Sequence, residues 1–257
     1  MVNSVMPKLE YFNPPKYKVY TSYRKYLRKA SNYSCAYCTI SESESPGATF
    51  NIEHFRPQKF FPELSNKCEN LRYSCPRCNS YKGDLWISEL NGCKRKCDEC
   101  KQRVCKNNIE RFVNSLSEEP SKMIFLGKDD KLYAYNEYKP ANYTIKYLRL
   151  NRAQLVKLRH IRRFMESWLL ELENKREKAI GYLENIRERK QIFSTTKGSS
   201  LSKKEKLYGD VVETMYEMML LQAEQSILLI DEEIRKLNFL SAQRLGCDEM
   251  LSHNGAE

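Results

Sequence analysis

Two Cys-x-x-Cys motifs constrain this chain more than any other feature of its sequence. The first is Cys35/Cys38 and the second is Cys75/Cys78. Two residues between cysteines allow a tight turn to direct both thiolates at one tetrahedral ion, and two such pairs are typical of a zinc site. The alternative is four unrelated free cysteines. Because four thiolates fill the coordination shell, the spacing predicts a structural zinc with no position open to water.

The segment between and just after the two pairs carries polar side chains that are poor core material. In order, the string is Cys-x-x-Cys, Glu53-His54-Phe55-Arg56-Pro57, Asn70-Leu71, Cys-Pro-Arg-Cys-Asn ending at Asn79, and Lys82-Gly83. This order resembles the zinc-clamped branch of the HNH endonuclease family, over about residues 30–90. The resemblance implies an α+β fold with a ββα-metal core, in which a loop, a strand and a helix converge on one ion.

The resemblance also implies a role for each polar residue of the motif. His54 would be the general base, a task for which histidine is suited because it titrates near neutral pH. Glu53 and Asn79 would ligate a catalytic metal ion, and oxygen donors favour Mg²⁺ or Mn²⁺ over zinc. Asn70 would tether the loop and orient the base. Lys82, expected near the start of a helix, would approach a phosphate.

Two positions depart from the commonest form of the family. Glu53 replaces Asp, and its extra methylene would favour ligation through a bridging water. Asn79 replaces His and weakens the hold on the metal, so we expect the ion to arrive with the substrate. His54 has two other interpretations, a loop histidine or a zinc ligand in place of a cysteine. The expected reaction is hydrolysis with one metal ion, giving 5′-phosphate and 3′-hydroxyl ends.

Four further cysteines follow the motif region in a short basic stretch. They are Cys93, Cys97, Cys100 and Cys105. The central pair has the two-residue spacing of a zinc knuckle, so a second structural zinc is predicted, although the outer spacings are less regular. The alternative is a basic surface loop with spare thiols, and Cys68 is a further candidate ligand.

Net charge and aromatic content favour a nucleic-acid partner. The chain carries 44 Lys and Arg against 33 Asp and Glu, a net charge of +11. Such a surface attracts polyanions by counterion release and electrostatic steering. The 17 Tyr and 10 Phe add rings that stack on bases, although we expect most of them in the core. The alternative is a basic soluble protein with no polyanionic partner.

The sequence contains no sign of a membrane segment. No apolar run reaches the roughly 18 residues that a membrane span needs. The first residues also lack the apolar stretch of a signal peptide. We therefore expect a cytoplasmic protein without membrane association, in which thiols stay reduced and clustered cysteines bind metal.

Periodicity predicts the remaining elements. We expect a short basic helix over 20–30, strands over 48–53 and 70–74, a helix from Asn79, two short strands around Asp129-Asp130, and long helices over 151–190 and 207–240. The domains are then an HNH nuclease domain over 1–110, a mixed connecting region over 111–150 and a helical hairpin domain over 151–257.

The two long helices carry apolar stripes at helical spacing. The stripe of the second helix runs through Val211, Met215, Met218, Leu221, Ile227, Ile230 and Ile234. The stripes either pack on each other or dock a partner protein. A looser similarity, in the phrases IEHFRP and SCPxCNxxKGD, is to the HNH component of Septu and retron-associated bacterial anti-phage systems, which implies an ATPase partner docked on these helices.

Two other functions stay open at this stage. One is a non-catalytic zinc module that binds nucleic acid through its basic surface. The other is a zinc-stabilised scaffold whose helices bind proteins. The acid-His pair and Asn79 favour the nuclease, because a binding module has no need of both.

Overall fold

The computed structural model describes residues 5–86, 110–196 and 202–245. These residues form two compact units, the first containing the described residues up to Arg163 and the second spanning Phe164–Ser241. The predicted second zinc cluster of Cys93, Cys97, Cys100 and Cys105 lies outside the described residues. The division after Arg163 places the start of a long helix with the first unit, whereas the domain limits at 110 and 150 stay predictions.

The first unit is α+β, as predicted. Its elements in chain order are α1 (Arg24–Ala30), β1 (Asn51–His54), β2 (Leu71–Ser74), α2 (Pro76–Lys82), β3 (Ile124–Leu126), β4 (Leu132–Ala134) and α3 (Lys139–Tyr147). Strands β1 and β2 are antiparallel, with Asn51 opposite Ser74 and His54 opposite Leu71. Since α2 follows β2 directly, the predicted strand–strand–helix order is confirmed.

Helix α2 begins at the second cysteine pair. The Cys75 sulfur caps its first turn by accepting a hydrogen bond from the Cys78 amide at 3.4 Å, and Pro76 supplies a first residue that has no N–H to satisfy. The helix ends at Lys82 because Gly83 follows with φ +43°. Asn79 therefore lies mid-helix and Lys82 lies at its end, so the expected position of Lys82 near the helix start is wrong.

One hydrophobic core joins the motif region to the segment after residue 110. It contains residues from the cysteine knuckles and β2, and also from the β3–β4 hairpin and α3; examples are Cys35, Cys78, Leu71, Phe112, Ile124, Leu132, Tyr143 and Leu148. The hairpin forms where it was predicted, with its turn at Asp130 in a left-handed conformation of φ +61°. The region predicted as a connecting segment is thus part of the same core as the zinc knuckles.

The first turns of α4 (Ala153–Thr196) belong to this unit and are fixed by buried arginines. The guanidinium of Arg162 donates to both the hydroxyl and the carbonyl of Thr39 at 2.9 Å, and it pairs with Glu44. The guanidinium of Arg159 donates to the Asp130 carbonyl at 2.9 Å. These contacts attach the start of the helix to the loop that follows the first cysteine pair and to the β3–β4 turn.

The second unit is the predicted antiparallel helical hairpin, built from the rest of α4 and from α5 (Lys203–Leu245). Ion pairs join the helices with residue numbers that rise along one and fall along the other: Arg176–Asp231, Arg187–Glu224 and Lys190–Glu217. The two apolar faces meet in a small cluster of Leu183, Ile186 and Ala223, with Tyr216, Leu220 and Ile227 against it. None of the described helices is long and apolar enough to cross a membrane.

The predicted packing stripe of α5 is correct only in its second half, where Ile227 packs against the cluster between the helices and Ile230 and Ile234 are half-buried. Val211, Met215, Met218 and Leu221 are 52%, 53%, 60% and 57% exposed. Helix α5 has apolar residues on more than one face, and in its first half Tyr216, Leu220 and Ala223 make the contact with α4 instead. Six exposed apolar residues form what we call the outer face of α5: Val211, Met215, Met218, Leu221, Leu228 and Leu229.

Candidate active site and zinc centre

Four buried cysteines form the predicted metal centre. The sulfurs of Cys35, Cys38, Cys75 and Cys78 all lie within 4.8 Å of one another, and those of Cys38 and Cys75 are 3.7 Å apart. Zinc–sulfur bonds of ~2.3 Å in a tetrahedron place sulfurs about 3.8 Å apart, so the cluster fits a structural zinc. Among the described residues, no other group of three or more His, Cys, Asp or Glu side chains is arranged to hold a metal.

Cys68 is not part of this cluster. It is buried at the start of the short turn before β2. Burial and the negative charge of neighbouring Glu69 raise the pKa of its thiol to about 12. Whether Cys68 contributes to the predicted second zinc site stays a prediction, because Cys93, Cys97, Cys100 and Cys105 lie outside the described residues.

Arg152 was not anticipated from the sequence. It lies just before α4 begins, with Nη2 3.6 Å from the Cys38 sulfur and both terminal nitrogens 3.9 Å from the Cys78 sulfur. A tetrathiolate zinc carries a net charge of −2, and a guanidinium beside it offsets part of that charge. No local pattern marks this residue, because its relation to the cysteines depends on how a distant segment folds back.

His54 ends β1 with its ring held by one nitrogen. Nε2 lies 2.9 Å from the Ser65 carbonyl oxygen, and the ring of Tyr20 packs edge-on with centroids 4.8 Å apart. A carbonyl only accepts hydrogen bonds, so Nε2 carries the hydrogen and the neutral ring presents the lone pair of Nδ1. Half-buried and oriented in this way, the imidazole is suited to accept a proton at Nδ1.

Asn70 closes the loop that leads away from His54. Its side-chain oxygen accepts from the Arg56 amide at 2.8 Å, and its side-chain nitrogen donates to the Arg56 carbonyl at 3.0 Å. Its own carbonyl accepts from the Phe55 amide at 2.8 Å. Asn70 thus ties β2 to the chain immediately after His54, which is the geometry expected of a residue that orients the base.

Glu53 and Lys82 form a buried ion pair, with side chains 4% and 0% exposed. The Lys82 ammonium lies 2.6 Å from Glu53 Oε1 and donates to the His54 carbonyl at 3.0 Å. Tyr37 donates its hydroxyl to the other carboxylate oxygen. Burial and the charge of Glu53 raise the pKa of Tyr37 well above its usual value, so this hydroxyl stays a donor.

This arrangement differs from the predicted roles of both charged residues. Both oxygens of Glu53 already have a donor, so the carboxylate anchors β1 to α2 and does not fit the role of a direct metal ligand. The ammonium of Lys82 is fully buried, which keeps it from contact with a phosphate. Strand geometry explains the burial of Glu53. Adjacent strand residues point to opposite faces, so Glu53 points into the core and His54 points away from it.

The motif region is similar to known proteins. Residues 35–85 match the family model described as HNH endonuclease. This segment is an HNH domain. A stretch of 57 residues is 39% identical to the Septu protein PtuB of Bacillus thuringiensis, covering 22% of this chain and 22% of that protein. The chain therefore matches only about a fifth of that relative's length, and no solved structure matches.

Asn79 is the remaining polar residue of the HNH domain. It is half-buried in the middle of α2, one turn before Lys82, and residues three apart share a helix face. Because Lys82 contacts β1, Asn79 lies on the face of α2 that is turned toward β1. Its amide oxygen is a suitable donor for a hard divalent cation, whereas its predicted partner Glu53 is occupied by Lys82.

Proposed function

We propose that this chain is a metal-dependent endonuclease that hydrolyses phosphodiester bonds in nucleic acid. The observation that carries the proposal is His54, whose Nε2 is fixed on the Ser65 carbonyl inside a segment that matches the HNH family. The net charge of +11 supports a polyanionic substrate.

In the proposed reaction, Nδ1 of His54 accepts the proton of a water molecule as that water attacks the phosphorus. The hydrogen bond from Nε2 to Ser65 keeps the ring in the required tautomer, and Asn70 holds the loop on which this geometry depends. Glu53, Lys82 and Tyr37 act as a buried support that fixes β1 against α2. Cleavage of the bond to the 3′ oxygen gives 5′-phosphate and 3′-hydroxyl products.

A bound Mg²⁺ or Mn²⁺ would neutralise charge at the phosphate and stabilise the leaving oxygen as a Lewis acid. Of the two predicted ligands, Asn79 suits this role and Glu53 does not, so phosphate oxygens of the substrate would have to supply much of the coordination. Zinc would be held separately by Cys35, Cys38, Cys75 and Cys78, with Arg152 beside it, in a structural role.

We also propose that the protein serves in a bacterial anti-phage defence system, beside an ATPase partner. The identity to Septu protein PtuB and the apolar outer face of α5 support this proposal. The chain would act in the cytoplasm, where its thiols remain reduced. If an ATPase co-purifies with the protein, Leu228→Asp on the outer face should abolish the association and leave nuclease activity unchanged.

Digestion of DNA and RNA by the purified protein tests the main proposal. Cleavage should require added Mg²⁺ or Mn²⁺. A ligase should rejoin the products without prior end repair, as expected for 5′-phosphate and 3′-hydroxyl ends. Protein that retains its zinc and cuts neither nucleic acid with either ion would favour the non-catalytic zinc module instead.

A further inference from the structure

A surface cavity of about 410 Å³ lies on the first unit beside α1. Its walls include Phe12, Tyr17, Tyr26, Lys25, Lys29 and Glu10. The volume lies within the ~300–1,000 Å³ typical of small-molecule sites. The cavity therefore has room for a group as large as a nucleobase, and no residue of the HNH motif lines it.

Aromatic rings form an exposed but fixed wall. Phe12 is 74% exposed and Tyr17 is 44% exposed. Tyr26 holds this segment by donating its hydroxyl to the Phe12 carbonyl at 3.0 Å, and the Tyr17 amide donates to the Tyr23 hydroxyl at 3.0 Å. Rings that are solvent-exposed on a fixed backbone are a platform on which a planar base can stack.

The rim of the cavity is basic. Lys16 and Lys18 flank Tyr17, while Lys25 and Lys29 line the cavity from α1. Within the described part of the chain these four ammonium groups form no ion pair, and the lining contains one acidic side chain, Glu10. Positive charge around an aromatic platform is complementary to a base that carries phosphates on both sides.

The same segment leads directly to the candidate base. Three residues after Tyr17, the ring of Tyr20 packs against His54 at 4.8 Å, and the Tyr20 amide donates to the Asn66 side chain at 2.9 Å. Three residues span at most about 10 Å, which is about the length of three stacked nucleotides in one strand. A strand whose base sits in the cavity would therefore reach His54 within a few nucleotides.

We propose that this cavity, which we call the base pocket, binds an unpaired base of a single-stranded nucleic acid. Phe12 and Tyr17 stack on the base, and Lys25 and Lys29 contact the phosphates beside it. A base in a duplex would first have to be unpaired and unstacked from its neighbours, which opposes its entry and favours an unpaired base. The inference rests on the proposed function in that it names the substrate class as single-stranded and places the cleaved bond near the base pocket.

Binding measured without cleavage tests this inference. In a His54→Ala background, fluorescence anisotropy with a labelled single-stranded oligonucleotide should show affinity reduced at least about fivefold by Phe12→Ala and by Tyr17→Ala. Tyr133→Ala removes a ring of similar exposure from β4 and should leave affinity unchanged. Lys25→Ala and Lys29→Ala each remove one phosphate contact. Each should therefore reduce the magnitude of the slope of log K against log salt concentration by about 0.7.

The base pocket would be overturned if the Phe12 and Tyr17 variants kept their single-strand affinity, or if they lost duplex affinity to the same extent. A change of oligomeric state in these variants without nucleic acid would also overturn it, because the cavity would then bind a second copy of the chain. Thermal unfolding of each variant checks that it folds. Because the readout is binding, selective loss of single-strand affinity would support the base pocket even if the protein cleaved nothing, and cleavage unaffected by these variants would leave the nuclease proposal intact.

Discussion

The two units of this protein handle charge and apolar surface in opposite ways. In the first unit, Arg72, Lys82 and Arg162 are at most 2% exposed and each is hydrogen-bonded. In the hairpin, Arg187 and its partner Glu224 are 57% and 48% exposed, while large apolar residues of α5 face outward. The first unit thus buries several charged side chains, whereas α5 of the hairpin leaves large apolar side chains exposed.

The difference shows what each unit is built to do. Buried charged groups tolerate little change in geometry, since an unpaired charge in the interior is costly, so the first unit holds His54 and its surroundings in one arrangement. The hairpin needs only a repeated pattern and a small cluster of contacts. Its outer face is available for a further contact, whereas the surface of the first unit offers a defined pocket and a half-buried histidine.

Removal of a zinc ligand should produce the largest effect and fall on one unit. We expect Cys78→Ser to lose the zinc and to unfold the first unit, because a structural zinc contributes roughly 10–16 kcal/mol to a small domain. Zinc content and near-ultraviolet circular dichroism measure the loss, and the helical signal of the hairpin should persist. Cys68→Ser is the matched control, and it should retain the full zinc content.

Breaking the buried ion pair should have the next largest effect. Lys82→Met leaves the Glu53 carboxylate buried without its counter-charge, and we expect a loss of about 3–5 kcal/mol in the free energy of unfolding by denaturant. The double variant Glu53→Gln with Lys82→Met should recover a large part of that loss. A double variant as unstable as the single one would show that the two charges do not interact as described.

A pair of arginines compares the units directly. Arg162→Ala removes a buried guanidinium with hydrogen bonds to Thr39, and we expect a loss of about 2–4 kcal/mol. Arg187→Ala removes an exposed ion pair, so we expect less than about 1 kcal/mol. Denaturant unfolding of both variants supplies the numbers, and equal losses would remove the contrast between the units.

The smallest expected effect depends on pH. Hydrogen bonds from Arg28 hold the pKa of Glu42 in the folded protein below its usual value. The pair therefore stabilises the fold fully above the unfolded-state pKa of about 4.3. This stabilisation is lost as the pH falls through the lowered pKa of the folded state. Arg28→Ala should therefore cost less than about 1 kcal/mol at pH 7. In urea unfolding with excess zinc, the difference from wild type should decrease as pH falls below about 4.3, and a difference that stays constant would contradict this assignment.

The sequence predicted those parts that depend on local spacing. Four cysteines in two knuckles, β1 and β2, the turn at Asp130 and the helical hairpin all follow from patterns within a few residues. The roles of Glu53 and Lys82 do not follow from such patterns. Whether these charged groups are exposed or paired depends on Tyr37, which is distant in sequence, and on where α2 ends. Arg152 was missed for the same reason.

Face assignment along α5 is the other limit. Apolar residues at three- and four-residue spacing predict a helix, but two overlapping sets satisfy that spacing when apolar residues occur all around it. Tyr216, Leu220 and Ala223 pack on α4 together with Ile227 of the predicted stripe, whereas Val211, Met215, Met218 and Leu221 of that stripe stay outside. Only the position of the second helix distinguishes the two sets.

The most direct test of the account compares two histidines. His54→Ala removes the proposed base, whereas His160→Ala removes a histidine that is 69% exposed and pairs with Asp130 away from the motif. With Mg²⁺ or Mn²⁺, we expect initial cleavage rates to fall at least about 100-fold for His54→Ala and to stay at the wild-type level for His160→Ala, with zinc content unchanged in both. Cleavage by the His54 variant at the wild-type rate would contradict the assignment of this imidazole as the base.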